Sequence, residues 1–387
     1  EIMKNHILLS LAFSFLATAS PPKAHEISEA YSYEDFCSDF HKQADPNGYR
    51  LFTKNLDAIL AHNSNPKKTY LMGVNQFTDM DSPPMGRNNA GLSAQHRTSK
   101  MLNRWGQTTS IPRVEPQPFD ESLLLGMDAL PEELNWYDEG VCTAVKDQGH
   151  CGSCWAFATT ATVESHVAIQ SKLLYNLSPE QLVACAPNED HCGGYGGCMG
   201  SIPELAYDYL VSAGGYTQEW SYPYVSYSGT TNGTCVELDT SINPIKATID
   251  GYVKLPENNA SAVMAALAKV GPLAVNVDAS TWSSYESGVY DGCSYDDMDI
   301  DHVVVLVGYG TDEDTGTDYW LIRNSWSPSW GESGFIRLKR ESPEETICGV
   351  DNTPQDGTGC EGDTVQYPCG QCAVLFDTSY PTGAGVV

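Results

Sequence analysis

Gln148-Gly149-His150-Cys151-Gly152-Ser153-Cys154-Trp155-Ala156-Phe157 is the densest chemical signal in the chain. The Ala-rich run that it opens, Cys154 to about Lys172 with Phe157, Ala161, Ala168 and Ile169, predicts a buried helix. Cys154 would then stand at the helix start, where free N–H groups and the helix dipole favour thiolate over thiol. A sulfur nucleophile also needs a base within hydrogen-bond reach and a partner that orients the base. His302 heads the apolar strand Val303 to Val307, and Asn324 follows the strand that begins at Tyr319. Both sit at strand ends, where side chains can face a cleft.

Working outward, Ser178-Pro179-Glu180-Gln181 reads as an N-cap with Pro at the first helical position, and Pro203 to Ser212 predicts a further helix. Beyond residue 245 the texture changes to strands, at Leu273 to Val277, Val303 to Val307, Tyr319 to Ile322 and Phe335 to Leu338. Helices first and strands later argue for an α+β protein with a helical lobe beside a sheet lobe. Upstream, Tyr49 to Asn63 places Phe52, Leu56, Ile59 and Leu60 at helical spacing, and Asn65-Pro66 ends it. Residues 81 to 120, rich in Pro, Gly, Asn, Ser and Thr, read as an exposed linker.

Of 387 residues, 50 are Asp or Glu and 21 Lys or Arg, for a formal charge of -29. That balance excludes a protein that binds nucleic acid by neutralising phosphates. The charge is uneven: residues 21–129 carry 11 basic and 13 acidic side chains, residues 130–387 carry 9 and 36. A modestly charged first module joined by a linker to a very acidic second one suggests separate functions and cleavage between them. The first residues explain the compartment. Met3-Lys4, an apolar run from Ile7 to Ala17 and then Ala17-Thr18-Ala19 read as a secretory signal peptide, residues 1–19, too short to span a bilayer. Thirteen Cys in a secreted chain imply disulfides, and sequons at Asn176, Asn232 and Asn259 fit the same route. Membrane insertion is not expected.

Three regions together resemble the signatures of the papain and cathepsin cysteine proteases: Gln148 to Phe157, Asp301-His302 before the strand ending in Gly308-Tyr309-Gly310, and Asn324-Ser325-Trp326 followed by Trp330-Gly331-Glu332. Upstream, Phe52, Asn55, Ile59 and Asn63 match the helical motif of that family's inhibitory propeptide, with Tyr49 in the place of an expected Arg; Gly73, Asn75, Phe77 and Asp79 match its second short motif. The resemblance implies a papain-like two-lobe fold, a helical lobe plus a β-barrel-like sheet lobe with the cleft between them, preceded by a helical propeptide. It divides the chain into residues 20–129, propeptide and linker with its helical part at about 31–80, and a peptidase domain at 130–387. It implies a cysteine endopeptidase made as an autoinhibited zymogen, with protein and peptide substrates, its own propeptide as inhibitor, no cofactor or metal, and a monomeric state. The destination would be a lysosome, a vacuole or the extracellular space.

The roles that the resemblance implies are a nucleophile at Cys154, its ion-pair partner and proton donor at His302, an orienting Asn324, an oxyanion hole of Gln148 with the Cys154 N–H, and Trp326 shielding the Asn–His bond. Gly200 and Ser201, with Ser where a second Gly is usual, would pair with an extended substrate; Ile202 and Pro203 would begin the second specificity pocket, with Asn276, Ile300 and Val303 around it. The family pairing joins Cys151 to Cys198 and Cys185 to Cys235. Cys348 and Cys372 both resemble its last half-cystine; Cys372, with Cys293 in the disulfide set, is favoured because Ser379-Tyr380-Pro381 follows at the right distance. Residues 349–371 then become an inserted Cys-containing loop, and Asp377 falls at the base of the second pocket; the other register would put Thr353 there. An acidic base would favour Arg or Lys by charge pairing.

Of the twelve Cys after residue 130, removing Cys154 leaves eleven, so one thiol stays unpaired or bridges another chain; Cys142, Cys192, Cys348, Cys360 and Cys369 have no assigned partner. Spacing alone would also admit zinc at Cys369-Gly370-Gln371-Cys372 or His191-Cys192, but an oxidising compartment favours disulfides. Two rivals stand beside the protease: a non-catalytic binding or storage protein on the same fold, which loss of Cys154 or His302 would have signalled, and a peptide ligase, in which an amine intercepts the acyl-enzyme.

Overall fold

The computed structural model describes residues 26–81, 111–236, 238 and 241–387, so the expected signal peptide and most of the expected linker lie outside the described residues. The first module is a helical hairpin. Helix α1 (Tyr33–Asp39) is capped by Ser32, whose hydroxyl accepts from the Asp35 N–H at 3.1 Å. Helix α2 (Pro46–Ser64) starts three residues before the hydrophobic spacing does, because the Asp45 carboxylate accepts from the Asn47 and Gly48 N–H groups and Pro46 takes the first position. Phe36, Phe52 and Ile59 close the small core between them, and strand β1 (Tyr70–Met72) follows.

After β2 (Leu134–Asn135) comes the helical lobe, with α3 (Cys154–Ser171), α4 (Pro179–Cys185) and α5 (Pro203–Ala213). Helix α3 is buried on nearly every side despite its hydroxyl residues. Thr159, Thr160, Thr162 and Ser165 make this tolerable by donating to the carbonyls one turn back, Trp155, Ala156, Ala158 and Ala161. Its one buried carboxylate, Glu164, accepts from Lys146 Nζ at 2.5 Å, Thr143 Oγ1 at 2.6 Å and the Leu177 N–H at 2.7 Å. That network ties the helix to both flanking loops.

The later half is not strands alone. Between β3 (Ala247–Thr248), β4 (Gly251–Lys254) and β5 (Leu273–Val277) lies helix α6 (Ala260–Lys269), capped by Asn259, whose side chain accepts from the Ala262 N–H. Then follow β6 (Tyr285–Tyr290), β7 (His302–Thr311), β8 (Asp318–Arg323), β9 (Phe335–Lys339), β10 (Thr378–Thr382) and β11 (Gly385–Val386). The main sheet runs β1-β6-β9-β8-β7-β5-β10-β4 with β2 beside β7, and β3 pairs separately with β11. It is an open path, so the barrel-like expectation is corrected: among the described residues β1 and β4 end the sheet without pairing to each other. One of those ends, β1, comes from the first module and pairs antiparallel with β6.

Strand β7 is the wall between the lobes. Val303, Val305 and Val307 pack into the helical-lobe core with Trp155, Ala158 and Ala161, whereas Val304 and Leu306 pack into the sheet-lobe core with Val275, Trp320 and Ile322. A strand alternates its side chains, so one buried on both faces must be apolar at every position.

Five disulfides join the described cysteines: Cys151–Cys198, Cys185–Cys235, Cys293–Cys372, Cys192–Cys360 and Cys348–Cys369. Cys37, Cys142 and Cys154 are thiols. Cys142 is the odd, unpaired thiol that the count requires; it is buried, and burial pushes it up from the ordinary range.

Candidate active site

The loop before α3 is held in an uncommon shape. Gly149 has φ +63°, and a Cβ there would lie 2.2 Å from the Tyr227 carbonyl oxygen, which instead accepts from the His150 N–H at 2.7 Å. The Cys151–Cys198 bridge and the Gly152 N–H to Cys198 carbonyl bond at 3.0 Å fix the next residues. Ser153 precedes the helix without a side-chain cap, and its hydroxyl meets Tyr224 at 2.8 Å instead. Cys154 is the first residue of α3, and it is buried.

Helix α3 lies along the Val303, Val305 and Val307 face of β7; Phe157 and Ala158 in its first turns line one small cavity with Val303 and Asn324. At the head of β7, His302 Nε2 meets Asn324 Oδ1 at 2.9 Å. Both groups are sealed from water: the Trp326 ring lies 4.9 Å from the imidazole centroid, and Trp282 stands edge-on at 6.4 Å. Asn324 is held in turn, its N–H on the Gly334 carbonyl and its Oδ1 also accepting from the Ser325 N–H at 2.7 Å.

Gln148 is fully buried, with Nε2 donating to the Cys151 carbonyl at 3.0 Å and Oε1 accepting from Ser325 Oγ at 2.6 Å. Ser325 therefore orients the amide, a role that the motif contains but that sequence reasoning did not single out. Asp301, beside His302, is half-buried; its carboxylate accepts from the Ala279 N–H at 2.9 Å, and loss of water around it, with Asp278 nearby, pushes it up to about 8.

Gly200, Ser201 and Ile202 lead into α5, whose first residue is Pro203, and are joined to the Cys154 loop through Cys198. Asn276 and Val303 are opposite each other on β5 and β7, Ile300 lies two residues before His302, and the Asn276 N–H donates to the Asp377 carbonyl at 3.0 Å. Asp377 brought a partner that the sequence did not reveal: Lys254 Nζ on β4 is 3.2 Å from its Oδ1 and 3.2 Å from Glu204 Oε1. Burial and the neighbouring Glu204 push Asp377 up while Lys254 opposes them. Thr353, the alternative base, is exposed on the insertion.

The first module docks against this centre. β1 extends the sheet, the Gly73 N–H donates to the Ser284 carbonyl at 2.8 Å, Asn75 Nδ2 to the Ser283 carbonyl at 2.6 Å and Gln76 Nε2 to the Trp326 carbonyl at 3.1 Å. Phe77 stands edge-on to Trp326 at 5.7 Å.

Comparison with known proteins agrees. Residues 130–358 match the papain family cysteine protease profile, and residues 33–83 match the cathepsin propeptide inhibitor domain. Vignain of Vigna mungo is 35% identical over 307 residues, 78% of this chain and 76% of its own length. Cathepsin L of Sarcophaga peregrina is 33% identical over 310 residues, covering 78% and 83%. The structure of a recombinant stem bromelain precursor superposes with a TM-score of 0.65 at 30% identity, covering 90% of this chain and 97% of that one. The chain belongs to the papain family of cysteine proteases and carries a cathepsin-type propeptide, which makes it an endopeptidase in its autoinhibited zymogen form.

Proposed function

We propose that Cys154 is the nucleophile, His302 its proton partner, Asn324 the residue that orients the imidazole, and Gln148 with the Cys154 N–H the oxyanion hole. The observation that carries this is the buried His302 Nε2 to Asn324 Oδ1 bond between the start of β7 and the end of β8, with Asn324 on the same small cavity as Phe157 and Ala158 of α3. With Nε2 held by the amide, Nδ1 is assigned the proton exchange with sulfur. The Cys154 thiolate attacks the carbonyl carbon and the C=O π pair moves to oxygen. Collapse expels the amine, which takes its proton from His302, and leaves a thioester; water then gives a proton to His302, attacks the thioester and releases the acid and the thiolate. The first helical N–H has no partner within the helix, which suits it to the developing oxyanion.

Residues 1–19 are read as the signal peptide, 20–129 as propeptide and linker, and 130–387 as the peptidase, released by acid-triggered cleavage between residues 105 and 130. Gly200 and Ser201 supply main chain to the substrate, Trp326 shields the His302 pair, and Ile202, Pro203, Asn276, Ile300, Val303 and Asp377 surround the second pocket. Lys254 answers part of the negative charge at its base, which weakens the case for selecting a basic side chain there. A monomer working in a lysosome, a vacuole or outside the cell fits the disulfides and the propeptide; no described helix is long and apolar enough to cross a membrane. Among the sequons, Asn176 is exposed. Hydrolysis of a peptide by the acid-processed protein, abolished in Cys154→Ala and His302→Ala while both remain folded, tests the assignment; activity that survives either change would overturn it.

A further inference from the structure

The insertion is rooted in the sheet lobe. Its ends are joined by Cys348–Cys369 and by pairing of Asp351 with Gln366, and the Asp351 carboxylate accepts from the Ile300 N–H at 3.3 Å. From there it crosses to the helical lobe. Gly357 lies so close to Ile300 that a Cβ on it would be 2.0 Å from the Ile300 carbonyl oxygen. Two to four residues on, the Gly193 N–H donates to the Gly359 carbonyl at 2.9 Å, Cys360 is bonded to Cys192, and the Glu361 N–H donates to the Asp190 carbonyl at 3.1 Å. The Cys192 and Cys360 sulfurs pack with Ile202 and Leu205.

One short backbone segment therefore spans from Ile300 to Ile202, residues on the two sides of the second pocket, which are 0% and 7% exposed. We propose that residues 349–371 form a strap, pinned to the opposite lobe by Cys192–Cys360, that closes the outer end of this pocket and limits the size of the side chain it accepts. The proposal rests on the active-site reading above. An open-ended pocket lets the tip of a long side chain reach water, whereas a wall of backbone, covalently held at both ends, does not yield to it. Size discrimination in an apolar pocket then works by exclusion.

Peptides of one sequence that carry Val or Phe as the second residue on the acyl side of the scissile bond give the readout, the ratio of kcat/KM for Phe to that for Val. The acid-processed enzyme should prefer Val; a preference for Phe overturns the strap outright. In Cys192→Ser/Cys360→Ser, and in Cys192→Ser with residues 353–364 replaced by an Asn-Gly turn, the ratio should rise tenfold or more. Active-site labelling at Cys154 normalises each preparation, and mass spectrometry of unreduced digests reports the bridge in the parent enzyme. If either variant does not fold, the other and the parent preference still decide. A ratio within twofold of the parent's, in a labelled variant with only a lower Tm, means that the bridge merely fastens the lobes, and it overturns the strap alone. Failure of Cys154 to label in the parent overturns the active-site reading and the strap with it.

Discussion

His302 is clamped between an amide and an indole, and that clamp makes predictions residue by residue. Asn324→Ala removes the acceptor on Nε2, frees the ring to rotate and should lower kcat by about 100-fold with little change in KM. An unchanged kcat would mean that Trp326 and Trp282 hold the ring by themselves. Gln148→Ala removes the proposed oxyanion donor and should cost about 100- to 1,000-fold in kcat. Its comparison is Ser325→Ala, which leaves the amide in place but without its 2.6 Å partner and should cost less. Equal losses would mean that Gln148 matters only for packing. Gln148, His302 and Asn324 could be picked out of the sequence because each lies inside a short motif whose chemistry is local, whereas the part of Ser325 shows only in its bond to Gln148. Lys254 was not, since it reaches Glu204 and Asp377 from a separate strand, with no pattern in the chain to announce it.

Elements were legible where one period dominates. The expected bounds of β5 coincide with the observed strand, and α3 ends one residue before its expected limit; the unbroken apolar run marks the strand and the Ala-rich run the helix. Helix α6 was hidden among strands: its ten residues of mostly small apolar side chains carry no polar face to reveal the helical period. Strand β1 was hidden for another reason, because a three-residue strand exists only through its partner β6. The pairing adds the propeptide to the edge of the sheet and sets Phe77 against Trp326. Phe77 is 4% exposed, and truncating a buried Phe typically costs about 3–5 kcal/mol. Phe77→Ala should therefore process faster than the parent zymogen and at a higher pH, followed by gel and peptide hydrolysis across a pH series. An unchanged processing profile would show that the Trp326 contact does not hold the propeptide in place.

For the whole molecule the charge becomes a statement about pH. Burial pushes Asp301 up to about 8 and Asp299 up to about 6, above the roughly 3.9 of an unfolded Asp. Between those values the folded state holds protons that the unfolded chain has released, so their contribution is full below about pH 4 and is lost as pH rises through 6 and 8. Asp312 works in the opposite sense: hydrogen bonds from Arg337 and Thr315 hold it at about 2, so its contribution is lost as pH falls from about 4 through 2. Stability should thus peak in mildly acidic solution. In the inert Cys154→Ala background Tm should fall between pH 5 and 8.5, and Asp301→Asn should flatten that fall. A Tm that rises over this range would contradict the assigned burial. Composition revealed the excess of acid but not this direction, which depends on which carboxyls the fold buries.

The central claim is that an activated thiol at Cys154 becomes available once the propeptide leaves. Treating the acid-processed protein with a thiol-directed epoxide peptide and locating the adduct by mass spectrometry tests it most directly, because Cys37 and Cys142 are the other thiols in the chain. The account predicts one adduct per processed molecule, on Cys154, none on the intact zymogen and none on Cys154→Ala. A folded, processed chain that stays unlabelled, or one labelled at Cys142 instead, would contradict it.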